Sequence, residues 1–401
     1  MVAGPGRPEF LAGGNRGCKV GFCSNFRIDT EHVFNSSKNI LVIMFLMDPL
    51  FKQASQTIVD QLNVLARLAV DQQYALQPET WKPYSKAGYA KSLRDAGYHF
   101  SYLAESLAVN DPVLFLDYIA WAKVLFAGLR FQSQALTAML GCMNQVVRET
   151  LPPDLAGAAY SYIDAALKHL SHTADRPDSF LLPESPQYEL ATKYLNVLLR
   201  GDRHSSSQLI LEAVAHGASV KDIYLNVFQP CQQEIGRLWQ MNQVSVAQEH
   251  FCTIATQMVM SQLYPHIFAA KKTGHRLVAT SVGGELHEIG VRMVADFLEM
   301  DGWDTYYLGA NTPTESILRA IEEREAEVVA ISATISFHVS KVTELIENIH
   351  SSLSHLPVKL MVGGYPFNIS SGLWQQVGAD GYARNALEAV TVAHRLIEKS
   401  R

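Results

Sequence analysis

From residue 275 onward, short apolar runs alternate with amphipathic stretches. A short β-branched run at 277–282 and further short runs near 304–308, 327–333 and 358–363 predict strands, the first beginning near 276, and Gly381-Tyr382 a short last one. Between them, apolar residues recur at helical spacing near 288–301, 314–324, 337–353 and 384–399. Repeated strand–helix steps of this kind predict a parallel sheet with helices on both faces, a Rossmann-like (flavodoxin-like) α/β domain over 273–401.

Upstream the period is helical throughout. Ile58, Leu62, Leu65 and Leu68 suggest one face, then Tyr98, Leu103 and Leu107, then a run through Phe115, Ile119, Leu125 and Leu129. Asp111 before Pro112 has the form of an N-cap with proline at the first helical position. Pro152-Pro153 reads as the end of the segment, which makes 47–174 an aromatic-rich all-α module of four helices. Residues 175–186 are a Pro-rich linker, and 187–272 a four-helix bundle with helices near 187–200, 204–217, 220–240 and 244–271. Asp202, Ser219 and Ser245 are its candidate caps. Residues 1–46 lack periodicity and read as a disordered or upstream extension, with Met44 and Met47 as alternative starts. The apolar stretch Ile40–Leu46 is far shorter than the roughly 20 residues a membrane span needs.

Composition narrows the function. A formal net charge of -6 with no Lys/Arg cluster argues against direct nucleic-acid binding. Five scattered cysteines form neither a disulfide framework nor a zinc site, Cys18 and Cys23 included, and fit a reducing, cytoplasmic setting.

The chemistry concentrates in Glu285-Leu286-His287-Glu288-Ile289-Gly290, a loop between the first strand and the first helix of the α/β domain. Loops at the carboxyl ends of strands are where ligands bind in open α/β sheets. An imidazole whose second nitrogen donates to a carboxylate two residues earlier suits metal ligation, so His287 is the candidate metal ligand and Glu285 its orienting partner. Gly290 would let the backbone pass close to a bulky ligand.

These residues, in this order, resemble the cobalamin-binding domain of methionine synthase, the corrinoid proteins and the cobalamin-dependent light sensors. Glu285, His287 and Gly290 match the axial-ligand motif, with Glu in place of the usual Asp as in the light sensors. Ser332-Ala333-Thr334 and Gly363-Gly364 match the positions that line the slot for the nucleotide tail, and Gly378 to Ala383 the turn at the last strand. In the bundle, Trp239 and the pair Glu249-His250, nine residues on, match the Trp-x9-Glu-His signature of the light sensors, where the Trp shields an adenosyl group that Glu and His border. The resemblance implies adenosylcobalamin, a cap that repacks when light removes the adenosyl group, and no enzymatic activity.

Two departures qualify it. Gln240 stands where the light-sensing repressors carry a second histidine, and an amide is a poor ligand, which leaves His250 as the fallback. The repressors' DNA-reading module is replaced by the aromatic module, so output would pass to a protein partner or through light-dependent homo-oligomers. That architecture resembles the photocobilins, which pair cobalamin with a bilin such as biliverdin. Core packing is the bland account of the aromatics, and Arg94 with His99 the candidates to meet a tetrapyrrole. The alternative is a corrinoid protein carrying methyl groups between methyltransferases. An isomerase would need a barrel that the chain lacks. His338 and His350 read as surface or edge residues, Glu322 to Glu325 as a solvated helix end, and Gly283-Gly284 as no phosphate loop.

Overall fold

The computed structural model describes residues 40–81, 86–132 and 134–398, with side chains from residue 49 on. The expectations for the extension before residue 40 and for Cys18 and Cys23 lie outside the described residues. Contacts divide the chain into two units. One runs to Pro177 and takes in Gln240–Asn242, and the other comprises the rest from Asp178 on.

The first unit is all helix: α1 (Ile40–Asp60), α2 (Leu62–Leu76), α3 (Pro78–Trp81), α4 (Lys86–Ala108), α5 (Pro112–Gly128), α6 (Gln134–Thr150) and α7 (Pro153–Leu170). Among the described residues seven helices stand where four were expected. Pro153 opens α7 instead of closing the module, because a first-turn proline has no intrahelical N–H to lose. The first helix starts at Ile40, ahead of the expected boundary at 47. The chain breaks at Gln61, which turns the stripe: Ile58 and Leu65 are buried, but Leu68 is exposed and Ala66, Ala69 and Val70 take its place. Asp111 caps α5, accepting from Val113 N at 2.9 Å. Helix α5 is apolar on nearly every side and lies in the core, its Tyr118 ring stacked 3.7 Å from that of Tyr102. His99 is buried with Nδ1 2.8 Å from Tyr118 Oη, whereas Arg94 is exposed. Five residues along a helix point about 140° apart, so the pair does not present one face to a ligand.

The second unit begins with the bundle: α8 (Tyr188–Leu199), α9 (Arg203–Ala215), α10 (Val220–Ile223) continuing through a π-turn (Tyr224–Phe228) into α11 (Gln229–Gln240), α12 (Val246–Gln262) and the short α13 (Tyr264–Ile267). Asp202, Ser219 and Ser245 all cap, the last with a reciprocal bond from Gln248. Pro230 explains the π-turn: it offers no N–H to residue 226, and the helix takes an extra residue into the preceding turn.

The α/β part follows as β1 (Arg276–Ser281), α14 (Ile289–Met300), β2 (Asp304–Gly309), α15 (Thr314–Arg324), β3 (Val328–Ser332), α16 (Val339–Ser352), β4 (Lys359–Gly363), α17 (Tyr365–Ile369), α18 (Leu373–Gln376), β5 (Gly381–Ala383) and α19 (Ala386–Glu398). The sheet is wholly parallel in the order β2-β1-β3-β4-β5. Its order reverses between β1 and β3, the switch point where this topology opens a crevice. Helix α14 joins the two layers: Met293 and Phe297 pack into the bundle core, while Val291, Ala295 and Leu298 pack on the sheet. Tyr224 Oη donates to Asp296 Oδ2 at 2.8 Å, and Arg292 reaches Gln257 O and Ser261 Oγ, so the layers are also clasped by buried polar groups.

Candidate functional site

The loop leaving β1 at the switch point is organised by Glu285, which is fully buried. Its Oε1 accepts from the backbone N–H of Leu286 and His287 and from His287 Nδ1 at 2.5 Å. Its Oε2 accepts from the N–H of Thr334 and Ile335 and from His338 Nδ1 at 3.0 Å. Burial alone would push this carboxyl up, but the charge and hydrogen bond of His287, and then those of His338, hold it well below the usual carboxylate range. An ionised carboxylate only accepts, so both imidazoles carry their proton on Nδ1.

In the neutral imidazole this places the lone pair on His287 Nε2. That nitrogen is buried and has no hydrogen-bond partner. His287 lines a cavity of about 270 Å³ within the second unit. A buried acceptor without a partner is costly in a folded protein unless a ligand satisfies it. Gly290, in the first turn of α14, also borders the cavity, and a Cβ there would meet nothing within 4 Å. A nitrogen held in one tautomer with open space beside Gly290 has the donor chemistry that a metal-bearing group requires.

Behind the histidine the cavity runs into an apolar slot between strand ends and α19, lined by Ile331, Met361, Val362, Ala383 and Ala389. Ser332 pairs in register with Gly363, and both line the slot with Thr334 and Gly364. Gly364 has φ +102°, and a Cβ on it would lie 2.0 Å from Ala333 O, so only glycine lets these two loops touch.

The facing wall is the bundle. Helix α11 presents Gln229, Gln232, Gln233 and Gly236 at i, i+3, i+4 and i+7, and α12 presents Glu249, Thr253 and Gln257. Glu249 accepts from Thr253 Oγ1 and pairs with His250 Nδ1 at 2.5 Å. His250 itself is half-buried and is not among the cavity residues; Trp239, one turn beyond Gly236, is half-buried and likewise outside them. Gln240 groups with the first unit, its amide donating to Trp121 O at 3.0 Å.

His338 is the correction at this site. It is buried, not a surface residue, and shares Glu285 with His287. Its partner is 53 residues away in sequence, and only the adjacency of β1 and β3 brings them together. The available signal was a polar residue in the loop leaving β3, at the same sheet edge as Glu285. Glu288 was also missed: it lines the cavity and accepts from Gln257 Nε2 at 2.7 Å, joining the cap to the loop.

A family model described as a B12 binding domain matches residues 275–391, and a second one of the same description matches 190–264. Monomethylamine corrinoid protein 1 of Methanosarcina acetivorans is 28% identical over 216 residues, 52% of this chain and 98% of that protein. Dimethylamine corrinoid protein 3 of Methanosarcina mazei is 30% identical over 139 residues, 34% of this chain and 81% of that protein. The solved structure of Methanosarcina barkeri monomethylamine corrinoid protein aligns at 24% identity and a TM-score of 0.47, over 52% of this chain and 99% of that one. The two curated relatives are methylamine corrinoid proteins, and together with the family models they support cobalamin binding but not specifically a light sensor. With the bundle and the α/β domain both matched, the chain belongs to the cobalamin-binding family of corrinoid proteins.

Proposed function

We propose that this chain holds cobalamin through His287 and carries a cobalt-bound methyl group between partner methyltransferases. The observation that carries the reading is the buried, unpartnered Nε2 of His287, a side chain fixed by Glu285 and lining a cavity that also takes in Ile331, Met361, Val362, Ala383 and Ala389. Bound cobalamin would supply a cobalt able to accept and release the methyl group. The chain's own part is to hold the imidazole in one tautomer, to bury the nucleotide tail beside Ser332, Thr334, Gly363 and Gly364, and to cover the opposite face with α11 and α12. Catalysis would belong to the partners, and the setting would be the cytoplasm. The test is reduction of the reconstituted protein to cob(II)alamin and its electron-spin resonance spectrum. Labelling the histidines with nitrogen-15 should change the axial-nitrogen splitting from three lines to two, and His287→Ala should abolish that change. A splitting indifferent to the label would sink the assignment.

A second reading, a cobalamin light sensor, is favoured by one observation: Glu249 of the Glu249-His250 pair stands on the cavity wall in a cap face without apolar side chains. Such a wall suits a nucleoside upper ligand better than a methyl group. On this reading adenosylcobalamin is the ligand, Glu249 borders it, Trp239 and His250 would have to move to reach it, and light changes the packing of the cap and the oligomeric state. A bilin in the first unit would add a second chromophore. Reconstitution in the dark with adenosylcobalamin separates the two: a light-driven shift in spectrum and elution volume supports the sensor, and methyl exchange with a methyltransferase and no such shift supports the carrier. A red absorption band that appears only with biliverdin would establish the bilin.

A further inference from the structure

The wall of the cavity facing His287 is unusual for a helix packed inward. The stripe Gln229, Gln232, Gln233 and Gly236 has the spacing by which a helix normally buries apolar residues, and here it offers three carboxamides and a gap. Gln232 is committed within the bundle: its Nε2 donates to Thr256 Oγ1 at 2.9 Å, and its Oε1 lies 3.2 Å from Thr253 Oγ1. Gln257 is committed to Glu288. Among the described residues nothing hydrogen-bonds the side chains of Gln229 and Gln233, which stand one turn apart on the cavity face. Each offers two donors and an acceptor. Glu249 adds a buried carboxyl group to that wall, while Glu288 and Arg384 line other parts of the cavity.

We infer that Gln229 and Gln233 select the corrinoid by its peripheral carboxamides, so that the site prefers the fully amidated ring over rings bearing carboxylates at its edge. The inference rests on the reading of this cavity as a corrinoid site. An amide on the ligand can both give to and accept from a glutamine. A carboxylate in its place only accepts, leaves the glutamine oxygen without a donor, and adds a negative charge to a wall that already holds Glu249. Sites built on paired hydrogen bonds discriminate strongly because the mismatched ligand strands a polar group on each side. The consequence is a chain that loads only the finished cofactor and leaves the acidic precursors of corrin amidation in solution.

The test uses the whole chain with four probes: hydroxocobalamin and its a-, c- and g-monocarboxylic acids, each with one acetamide of the upper ring face replaced by acetate and the nucleotide tail kept. Binding is followed by the absorption change and by quenching of tryptophan fluorescence. The wild type should take cobalamin at least about tenfold more tightly than one or more of the acids. The double variant Gln229→Leu with Gln233→Leu should bind all four within about threefold of one another. Should that variant fail to fold, Gln233→Glu serves instead and should widen the gap between amide and acid. Equal binding of all four by the wild type, an unchanged ranking in the double variant, or an unchanged gap in Gln233→Glu would each overturn the inference. A wild type that takes no cobalamin at all would instead refute the corrinoid reading itself.

Discussion

Glu285 concentrates the chemistry of the site in one carboxylate with six donors. Two of them are imidazoles, and His338 holds the oxygen that His287 does not use. His338→Ala should leave the fold intact and weaken cobalamin binding by about 10-fold to 100-fold, the range seen when a ligand's hydrogen-bond partner is removed. Titration of the variant and the wild type with hydroxocobalamin checks it, and equal affinities would show that His338 is a bystander. The pair Glu285 and His287 was legible in the sequence because both sit in one loop at a spacing that chemistry recognises. His338 was not, since a contact across 53 residues depends on strand order and leaves no local pattern. Trp239 and His250 show the converse: their spacing is plain in the sequence, yet neither side chain lines the cavity.

At the scale of elements, most of the α/β part was legible because the strands are short apolar or aromatic runs bounded by turn residues, and α9, α10 and α12 begin at an Asp or Ser that does cap them. What failed was reading Pro152-Pro153 as a stop, because proline's effect depends on its position in the helix. Pro153 starts a helix, Pro49 lies inside α1, and Pro230 is accommodated by a π-turn, three outcomes set by where the missing N–H falls. Close approach of loops was invisible as well, because Gly363 and Gly364 look alike in sequence while only Gly364 has the positive φ. Gly364→Ala forces the loops after β3 and β4 apart and strains the backbone. It should destabilise the second unit by more than about 2 kcal/mol and abolish cobalamin binding. Urea unfolding of the full chain followed by tryptophan fluorescence measures the first effect, and a stable variant that still takes cobalamin would contradict it.

Across the whole molecule, the two units carry buried groups of opposite response to acid. Burial holds His99 down to about 4, below its ordinary 6.5. Between those values the unfolded chain takes up a proton that the folded unit refuses, so the first unit loses up to roughly 3 kcal/mol as pH falls from 6.5 to 4. Burial pushes Asp296 up to about 6, against the opposing effects of Tyr224 and Arg292. Its carboxylate costs the second unit roughly 3 kcal/mol above pH 6, and that cost fades as pH falls toward 3.8. Hydrogen exchange of the full chain should therefore show His99→Leu slowing exchange in α4 at pH 5 more than at pH 7.5. Asp296→Asn, which keeps an acceptor for Tyr224, should slow exchange in α14 at pH 7.5 more than at pH 5. A pH-independent effect of either substitution would refute the assignment for that unit.

The six bonds to Glu285 also bear on the tempo of cofactor capture. A loop whose carboxylate is already saturated by its own chain has nothing left to fold when cobalamin arrives, and its ordering entropy was spent during synthesis. Ligation by His287 should then follow encounter in a single exponential phase whose rate rises in proportion to cobalamin concentration, with no plateau from a slow rearrangement of the loop.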